Sequence, residues 1–344
     1  EARLDLGDAR IARRLIPWVR GFAGLEAMTR GSVSFTWRVG AAPPIAPADA
    51  TPGAIADYYH LTGTIEEGRV VYRTTDGGWM ALAADGDRVD FLVPESMLTG
   101  PDWSLRDLFS AAITSLLRRQ GRFPIHAAGV ARGAAALATG EAGVGSPPAG
   151  VLIVGAPMAG KTSLALNFIR RGWTWLSDDK IALEGAAEGV RMSGLYRPAN
   201  VDPALARWFP EMSGIESRAP AFPNSEKRSV AIDAIYGHSA FSGADSAPAR
   251  VTHLLFPRVV DIGPTRLTPL TPGEALVRMM TQSPIHADRD DARRQLALLS
   301  RLAGSAAAFA IDAGRDLLDS PDTLVTAGRT MGLAIDLPVT SPPV

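Results

Sequence analysis

Residues 155–162 read Gly-Ala-Pro-Met-Ala-Gly-Lys-Thr and fit the pattern G-x-x-x-x-G-K-[ST]. Such a loop holds phosphate because its backbone N–H groups curl around anionic oxygens. The helix it opens adds unpaired N-terminal donors and a positive dipole end. The chemistry therefore demands a strand before the loop and a helix after it. The apolar run Val151-Leu152-Ile153-Val154 and the stretch 163–171 supply both, whereas a chance match in a glycine-rich chain would need neither. In this reading Gly155, Ala156, Met158, Ala159, Gly160, Lys161, Thr162 and Ser163 bind a nucleoside triphosphate, with Lys161 reaching the β and γ phosphates and Thr162 holding Mg²⁺. Met158 stands where many such loops carry another glycine, and Pro157 has no N–H to donate.

A second constellation follows closely. The strand-like run 173–177 ends in Asp178-Asp179. If it lies parallel to 151–154, joined by helix 163–171, both strand ends open on one sheet edge and two carboxylates stand beside the phosphate loop. One can hold Mg²⁺ while the other accepts a proton from an attacking hydroxyl; the alternative is a surface turn, where Asp pairs are common. Of 35 basic residues only Lys161, Lys180 and Lys227 are lysines, so each asks whether an ammonium is needed. Lys227-Arg228 follows the polar loop 223–226, and with Arg197 could clamp the transferred phosphoryl group; an exposed strand end is the plainer reading. Arg258 is a weaker case, and Lys180 can simply balance the Asp pair. His126 lies among apolar neighbours, where a histidine is commonly a core residue with a satisfied ring. His286, Asp288, Asp290 and Asp291 hint at a metal site, but Asp288 reads better as the N-cap of a helix over 289–303. Gly140–Gly145 has clustered glycines without a strand–helix context and reads as a loop. Trp173, Trp175 and Trp208 read as packing residues.

These groups need elements to position them. Ile11, Leu15, Ile16, Val19 and Phe22 predict an amphipathic helix over 7–25, and alternation predicts a strand over 32–39. A Pro- and Ala-rich loop over 41–53 comes next. Strands at 69–73, 79–84 and 88–94, separated by Asp76-Gly77-Gly78 and Asp85-Gly86-Asp87, predict an antiparallel meander, and a helix over 104–119 closes this half. From a strand near 124–131 onward the pattern becomes α/β: the 140–150 loop, the phosphate-loop unit, a strand at 251–256, helices at 272–281 and 289–303, a strand at 307–311 and a helix at 321–332. The predicted division is an α+β accessory domain over 1–120 and an α/β catalytic domain over 121–340.

Composition narrows the function classes. With 35 basic and 36 acidic residues the formal charge is −1, which opposes a nucleic-acid clamp or a polybasic membrane binder. The absence of cysteine excludes disulfides, thiolate metal sites and cysteine nucleophiles. No apolar run is long enough to span a membrane and no signal-peptide pattern opens the chain, so the expectation is a cytoplasmic protein without nucleic-acid or membrane partners.

Three pieces together resemble the HPr kinase/phosphorylase family, whose catalytic domain is related to the phosphoenolpyruvate carboxykinase fold: Phe123-Pro124-Ile125-His126-Ala127-Ala128-Gly129-Val130, the loop 155–162, and Leu176-Ser177-Asp178-Asp179. The likeness spans about 120–335 and is specific around these motifs. It implies a P-loop α/β catalytic domain using ATP and Mg²⁺, with Asp178 as general base, Asp179 as a metal-side carboxylate and His126 as a neighbour of the phosphates. Residues 140–150 look inserted, the Glu-Ile-Arg-Gly-type signature is absent after the Asp pair, and residues 1–120 are unlike the family's regulatory domain. In these respects the chain is similar to divergent kinases that accompany peptide-modification clusters, including lasso-peptide tailoring. The implied activity is phosphoryl transfer to a Ser or Thr hydroxyl of a peptide or protein, and the family's hexamers leave a homo-oligomer open. A small-molecule hydroxyl and a non-catalytic nucleotide-binding module are the other readings; no Asn-Lys-x-Asp stretch supports a GTPase.

Overall fold

The computed structural model describes residues 2–20, 32–43, 51–53, 61–100, 103–132, 148–195, 198–218, 220–221, 225–237, 248–283 and 288–335. The chain divides into two compact units, Glu1–Pro124 with Pro284–Leu296, and Ile125–Ser283 with Ala297–Val344. A boundary drawn once along the sequence, near residue 120, misses the return of the 284–296 segment to the first unit.

In the first unit, strands β1 (Ala2–Asp5), β2 (Val33–Val39), β3 (Thr51–Gly53), β4 (Leu61–Glu66), β5 (Arg69–Thr74), β6 (Trp79–Leu82) and β7 (Arg88–Val93) form a sheet in the order β1-β2-β7-β6-β5-β4-β3. β1, β2 and β7 pair in parallel, and β7 through β3 pair antiparallel. Alternation in β2 buries Val33, Phe35 and Trp37, and Trp37 stacks on Phe91 at 3.9 Å. Helix α1 (Ala9–Val19) is capped by Asp8, whose side chain accepts from the Arg10 N–H at 2.7 Å. The expected extension of this helix to residue 25, and Phe22 with it, lies outside the described residues. Of the loop expected over 41–53, residues 44–50 lie outside the described residues, and 51–53 form β3, an edge strand whose Pro52 is tolerated there because edge positions need no full ladder of N–H donors. A short helix α2 (Glu95–Thr99) precedes α3 (Trp103–Arg119), which packs on β5 and β6.

The second unit is an α/β layer. Strand β9 (Ala149–Val154) pairs antiparallel with β8 (Arg122–Arg132) on one side and parallel with β15 (Ala249–Val259) on the other. β17 (Ala307–Ala313) continues the sheet parallel to β15, and β16 (Arg266–Pro269) runs antiparallel at its edge. Beyond β8 lies β10 (Trp173–Ser177), also antiparallel to β8. β9 and β10 therefore point the same way with β8 between them, and helix α4 (Lys161–Ile169) joins them. All five β10 residues are buried, as expected for a strand covered on both faces. Leu164, Ala165, Phe168 and Ile169 of α4 share a core with Val151, Ile153, Trp173 and Trp175. Trp208, only half-buried, donates to Asp319 at 2.9 Å and lies under the Arg207 guanidinium.

Several elements carry weak sequence signals: the hairpin β11 (Lys180–Ala186)–β12 (Gly189–Gly194), the pair β13 (Ala199–Val201)–β14 (Arg228–Val230), and the one-turn helix α5 (Asp233–Tyr236). Helix α6 (Pro272–Met280) carries a full capping box between Thr271 and Glu274. Helices α7 (Arg289–Ser305), α8 (Asp316–Asp319) and α9 (Pro321–Met331) complete the order. Among the described residues no helix is long and apolar enough to cross a membrane.

One close approach sets the position of the Asp pair. A Cβ on Gly194 would stand 2.0 Å from the Leu176 carbonyl oxygen, which belongs to backbone and cannot swing away. Gly194→Ala is expected to cost roughly 2–3 kcal/mol in urea unfolding, as overpacking against backbone does. Unchanged stability would show that β12 can retreat from β10 freely.

Candidate phosphate and carboxylate site

The register of β8 explains why His126 meets the other two motifs. Ala127 pairs with Val154 of β9 and Gly129 with Ser177 of β10, so the residue before Ala127 stands where both neighbouring strands end. Two further bonds tie this corner: the His126 N–H donates to the Gln282 carbonyl at 2.9 Å and the Ala127 N–H to the Asp179 carbonyl at 3.3 Å.

The loop follows β9 directly. Gly155 lies so close to Ala159 that an added Cβ would sit 3.0 Å from the Ala159 methyl. Met158 adopts φ +66, the left-handed conformation that glycine fills more cheaply, which accounts for the glycine common at this place in such loops. Gly160, at φ +95, is the N-cap of α4. No side chain caps this helix, so its first N–H groups stay available to an anion. The Ser163 carbonyl accepts from the Asn167 amide at 3.2 Å.

Lys161 is buried, and its three ammonium protons find three acceptors: the Gly155 carbonyl at 2.8 Å, the Ala156 carbonyl at 3.1 Å and His126 Nε2 at 3.0 Å. His126 Nδ1 lies 3.0 Å from Asp179 Oδ1. The donors around the ring fit the tautomer whose Nδ1–H donates to Asp179 while Nε2 accepts from Lys161. Burial pulls the Lys161 pKa down to about 8, against the pull of Asp179 and Asp178 and with a contribution from Lys227. A bound polyphosphate would reverse that effect.

The two carboxylates differ sharply. Asp178 Oδ2 accepts from the Thr162 hydroxyl at 3.0 Å and from the Asn200 N–H at 3.1 Å, while its buried Oδ1 has no partner. Burial, and then repulsion from Asp179, push Asp178 up to about 6. Burial opposes ionisation of Asp179 too, but the His126 hydrogen bond, Lys180 and Lys161 outweigh it and hold this carboxyl at about 2. Opposite shifts on adjacent carboxylates are how one site acquires a base and a permanent anion.

These shifts predict a pH dependence of stability in the metal- and nucleotide-free protein. Asp178, with its folded pKa raised, contributes stability at low pH that is lost as pH rises from about 4 to 6. Asp179, with its folded pKa lowered, contributes stability above about 4 that is lost as pH falls toward 2. In EDTA the gain in unfolding free energy of Asp178→Asn over the parent, read from urea melts, should be larger at pH 7.5 than at pH 4.5 by about 2 kcal/mol. A constant gain across that range would show that ionised Asp178 carries no burden.

The donor set fits a Mg–triphosphate. The Thr162 hydroxyl, the Asp179 carboxylate and an uncapped helix terminus lie at the loop, and Asp178 beside them keeps one oxygen open for a proton. Among the described residues no group of three or more His, Asp or Glu forms a self-contained metal cage. Magnesium does not need one, since it takes one or two protein ligands and completes its shell with phosphate oxygens and water.

The remaining sequence candidates divide. Lys227 is near enough to act electrostatically on both Lys161 and Asp178. Arg228 departs from the clamp expectation: its guanidinium donates to the carbonyls of Glu216, Ser225 and Glu226 at 3.2, 3.2 and 2.8 Å, so it holds the loop that carries Lys227. Arg197 and His286 lie outside the described residues. The Asp288 carboxylate accepts from the N–H groups of Asp290 and Asp291 at 2.8 and 3.1 Å, which is N-capping and not metal ligation. Arg258 pairs with Asp312 at 2.9 Å. Sequence reading missed Asn200 and Gln282, which act through backbone groups that no residue type announces.

No family model matches the chain, and no curated protein does. Among solved structures, the Hpr(Ser) kinase/phosphatase from Coxiella burnetii aligns over 60% of this chain and 96% of that one, at 15% identity and a TM-score of 0.30. At that score the likeness decides neither fold nor function.

Proposed function

We propose that this protein is an ATP- and Mg²⁺-dependent kinase that transfers the γ-phosphoryl group to a Ser or Thr hydroxyl of a peptide or protein, such as a ribosomally made precursor peptide. The observation that carries this reading is the buried Asp178, with one oxygen unpartnered and the other on Thr162, set beside an uncapped phosphate loop.

Thr162 and Asp179 would hold Mg²⁺, which when bound neutralises charge on the phosphates. The N–H groups opening α4 cradle the inner phosphates, and Lys161 turns from the Gly155 and Ala156 carbonyls to the outer ones. His126, fixed by Asp179, then loses the Lys161 proton contact and guides the ammonium on its return. Above about pH 6 Asp178 is ionised and takes the acceptor proton. The acceptor oxygen forms its bond to the γ phosphorus as the bridge to the β phosphate breaks, and ADP leaves. Lys227 adds positive charge near the transferring group.

A small-molecule kinase and a nucleotide sensor use the same loop. The sensor gives no reason for a buried carboxylate with an idle oxygen, because its desolvation is costly. The deciding experiment incubates the protein with Mg²⁺, γ-labelled ATP and the peptides encoded beside its gene, followed by mass spectrometry. Gain of one phosphoryl group on a Ser or Thr is expected; ATP binding without any phosphorylated peptide would overturn the proposal.

A further inference from the structure

We infer that the pocket outside the phosphate loop docks the acceptor polypeptide, and that it selects an apolar side chain with a neighbouring carboxylate next to the modified hydroxyl. The inference rests on the kinase reading above and adds the class of acceptor.

The pocket has a volume of about 420 Å³ and lies between the loop, the end of β15 and the end of α6. Its walls are apolar at Met158, Phe256, Pro257 and Val259, and cationic at Arg258 and Arg278, with no carboxylate among the described residues that line it. Exposure singles out the same segments. Among the described residues the exposed large apolar side chains are Met158, Val259, Ile262, Val277 and Leu296. Met158 and Val259 line the pocket, Ile262 follows Val259 by three residues, and Val277 adjoins Arg278. Met158 and Val259, exposed apolar side chains on facing walls of one opening, mark a binding surface.

Position argues for the acceptor over the nucleoside. In a loop of this type the helix N-terminus takes the inner phosphates and the lysine the outer ones. Neither Thr162 nor Ser163 lines the pocket, whereas Gln282 does, and its carbonyl holds the backbone of His126, the partner of Lys161. The pocket therefore opens toward the outer phosphate. Charge argues for an acidic neighbour through Arg278, which lies 5.7 Å from the Phe256 ring centre at the end of α6, while Arg258 donates through Nε and Nη2 to Asp312 outside the lining. A sugar or polyol would want carboxylate and amide acceptors along these walls, and one amide is present, on Gln282.

The test is a degenerate peptide library with one fixed Ser, phosphorylated with γ-labelled ATP by the parent protein, Arg278→Glu and Val259→Glu. Parallel titrations measure ATP affinity. The parent should select apolar and acidic flanks; Arg278→Glu should invert the acidic preference to a basic one and lower kcat/KM on acidic peptides about tenfold, and Val259→Glu should lose the apolar preference. ATP affinity should stay within about twofold in both variants, which also reports that they fold. Phosphorylation without flank preference would overturn this inference and leave the kinase reading standing. Weakened ATP binding with unchanged flank preference would assign the pocket to the nucleoside and overturn it as well. Failure of the parent to phosphorylate any library peptide while binding ATP would remove both.

Discussion

Asp178→Asn is expected to abolish phosphoryl transfer while leaving nucleotide binding intact. The amide can keep both bonds that Oδ2 now accepts, from Thr162 and from the Asn200 N–H, so the local geometry has no reason to change. It cannot take a proton. Loss of a positioned general base costs roughly 10²–10⁴-fold in kcat, and ATP affinity should remain within about twofold because Asp178 is not needed to cradle the inner phosphates. The same variant should be more stable than its parent at neutral pH, since a buried carboxylate held at about 6 is replaced by a neutral group. Single-turnover transfer at the parental rate would remove Asp178 from the chemistry; reduced activity together with reduced stability would assign it a structural role.

Lys161→Met is the second substitution with a large expected effect, and its signature is different. The ammonium sits among three acceptors, two of them neutral carbonyls and the third an imidazole nitrogen, and burial draws its pKa down to about 8, so an anionic phosphate oxygen is a stronger partner than any it now has. A charge-assisted bond to phosphate is worth about 1.5–3 kcal/mol, and its removal should weaken ATP binding by roughly 10–10²-fold with a further loss in transfer. Lys161→Arg should not restore function, because a planar fork on a longer stem cannot occupy the space between the Gly155 carbonyl and His126. Isothermal titration with ATP checks both; parental affinity in Lys161→Met would show that the loop does not hold a polyphosphate.

The residues of this site differ in how readily they are read. Gly155, Gly160, Lys161 and Thr162 announce themselves because a phosphate cradle needs fixed types at fixed spacing over one strand–loop–helix unit. Asp178 and Asp179 are legible one step further on, once the strand that carries them is assigned a direction. The parallel direction of β9 and β10 agrees with that assignment, but β8 lies between them, and nothing in the local pattern places it there. Lys227-Arg228 shows the limit: two adjacent cations look alike in sequence, yet Arg228 is used by four backbone carbonyls while Lys227 acts on the charges of Asp178 and Lys161. β3 and β13 carry no readable period because three-residue strands hold too few alternations, and a strand-like run at 230–233 overlaps β14 only at Val230, since the strand ends there and a helical turn begins at Asp233.

Residue order alone was enough for the strand–loop–helix unit around residues 149–169, the place of the Asp pair at the end of β10, the sense of the α/β half and the absence of cysteine, since each rests on neighbours within about twenty positions. Tertiary structure decided the rest. It set His126 between Lys161 and Asp179, gave Asp178 and Asp179 opposite proton affinities, and opened a pocket between the loop, β15 and α6. Proton affinity depends on burial and on charges brought close by strand register, and register joins residues far apart in the chain.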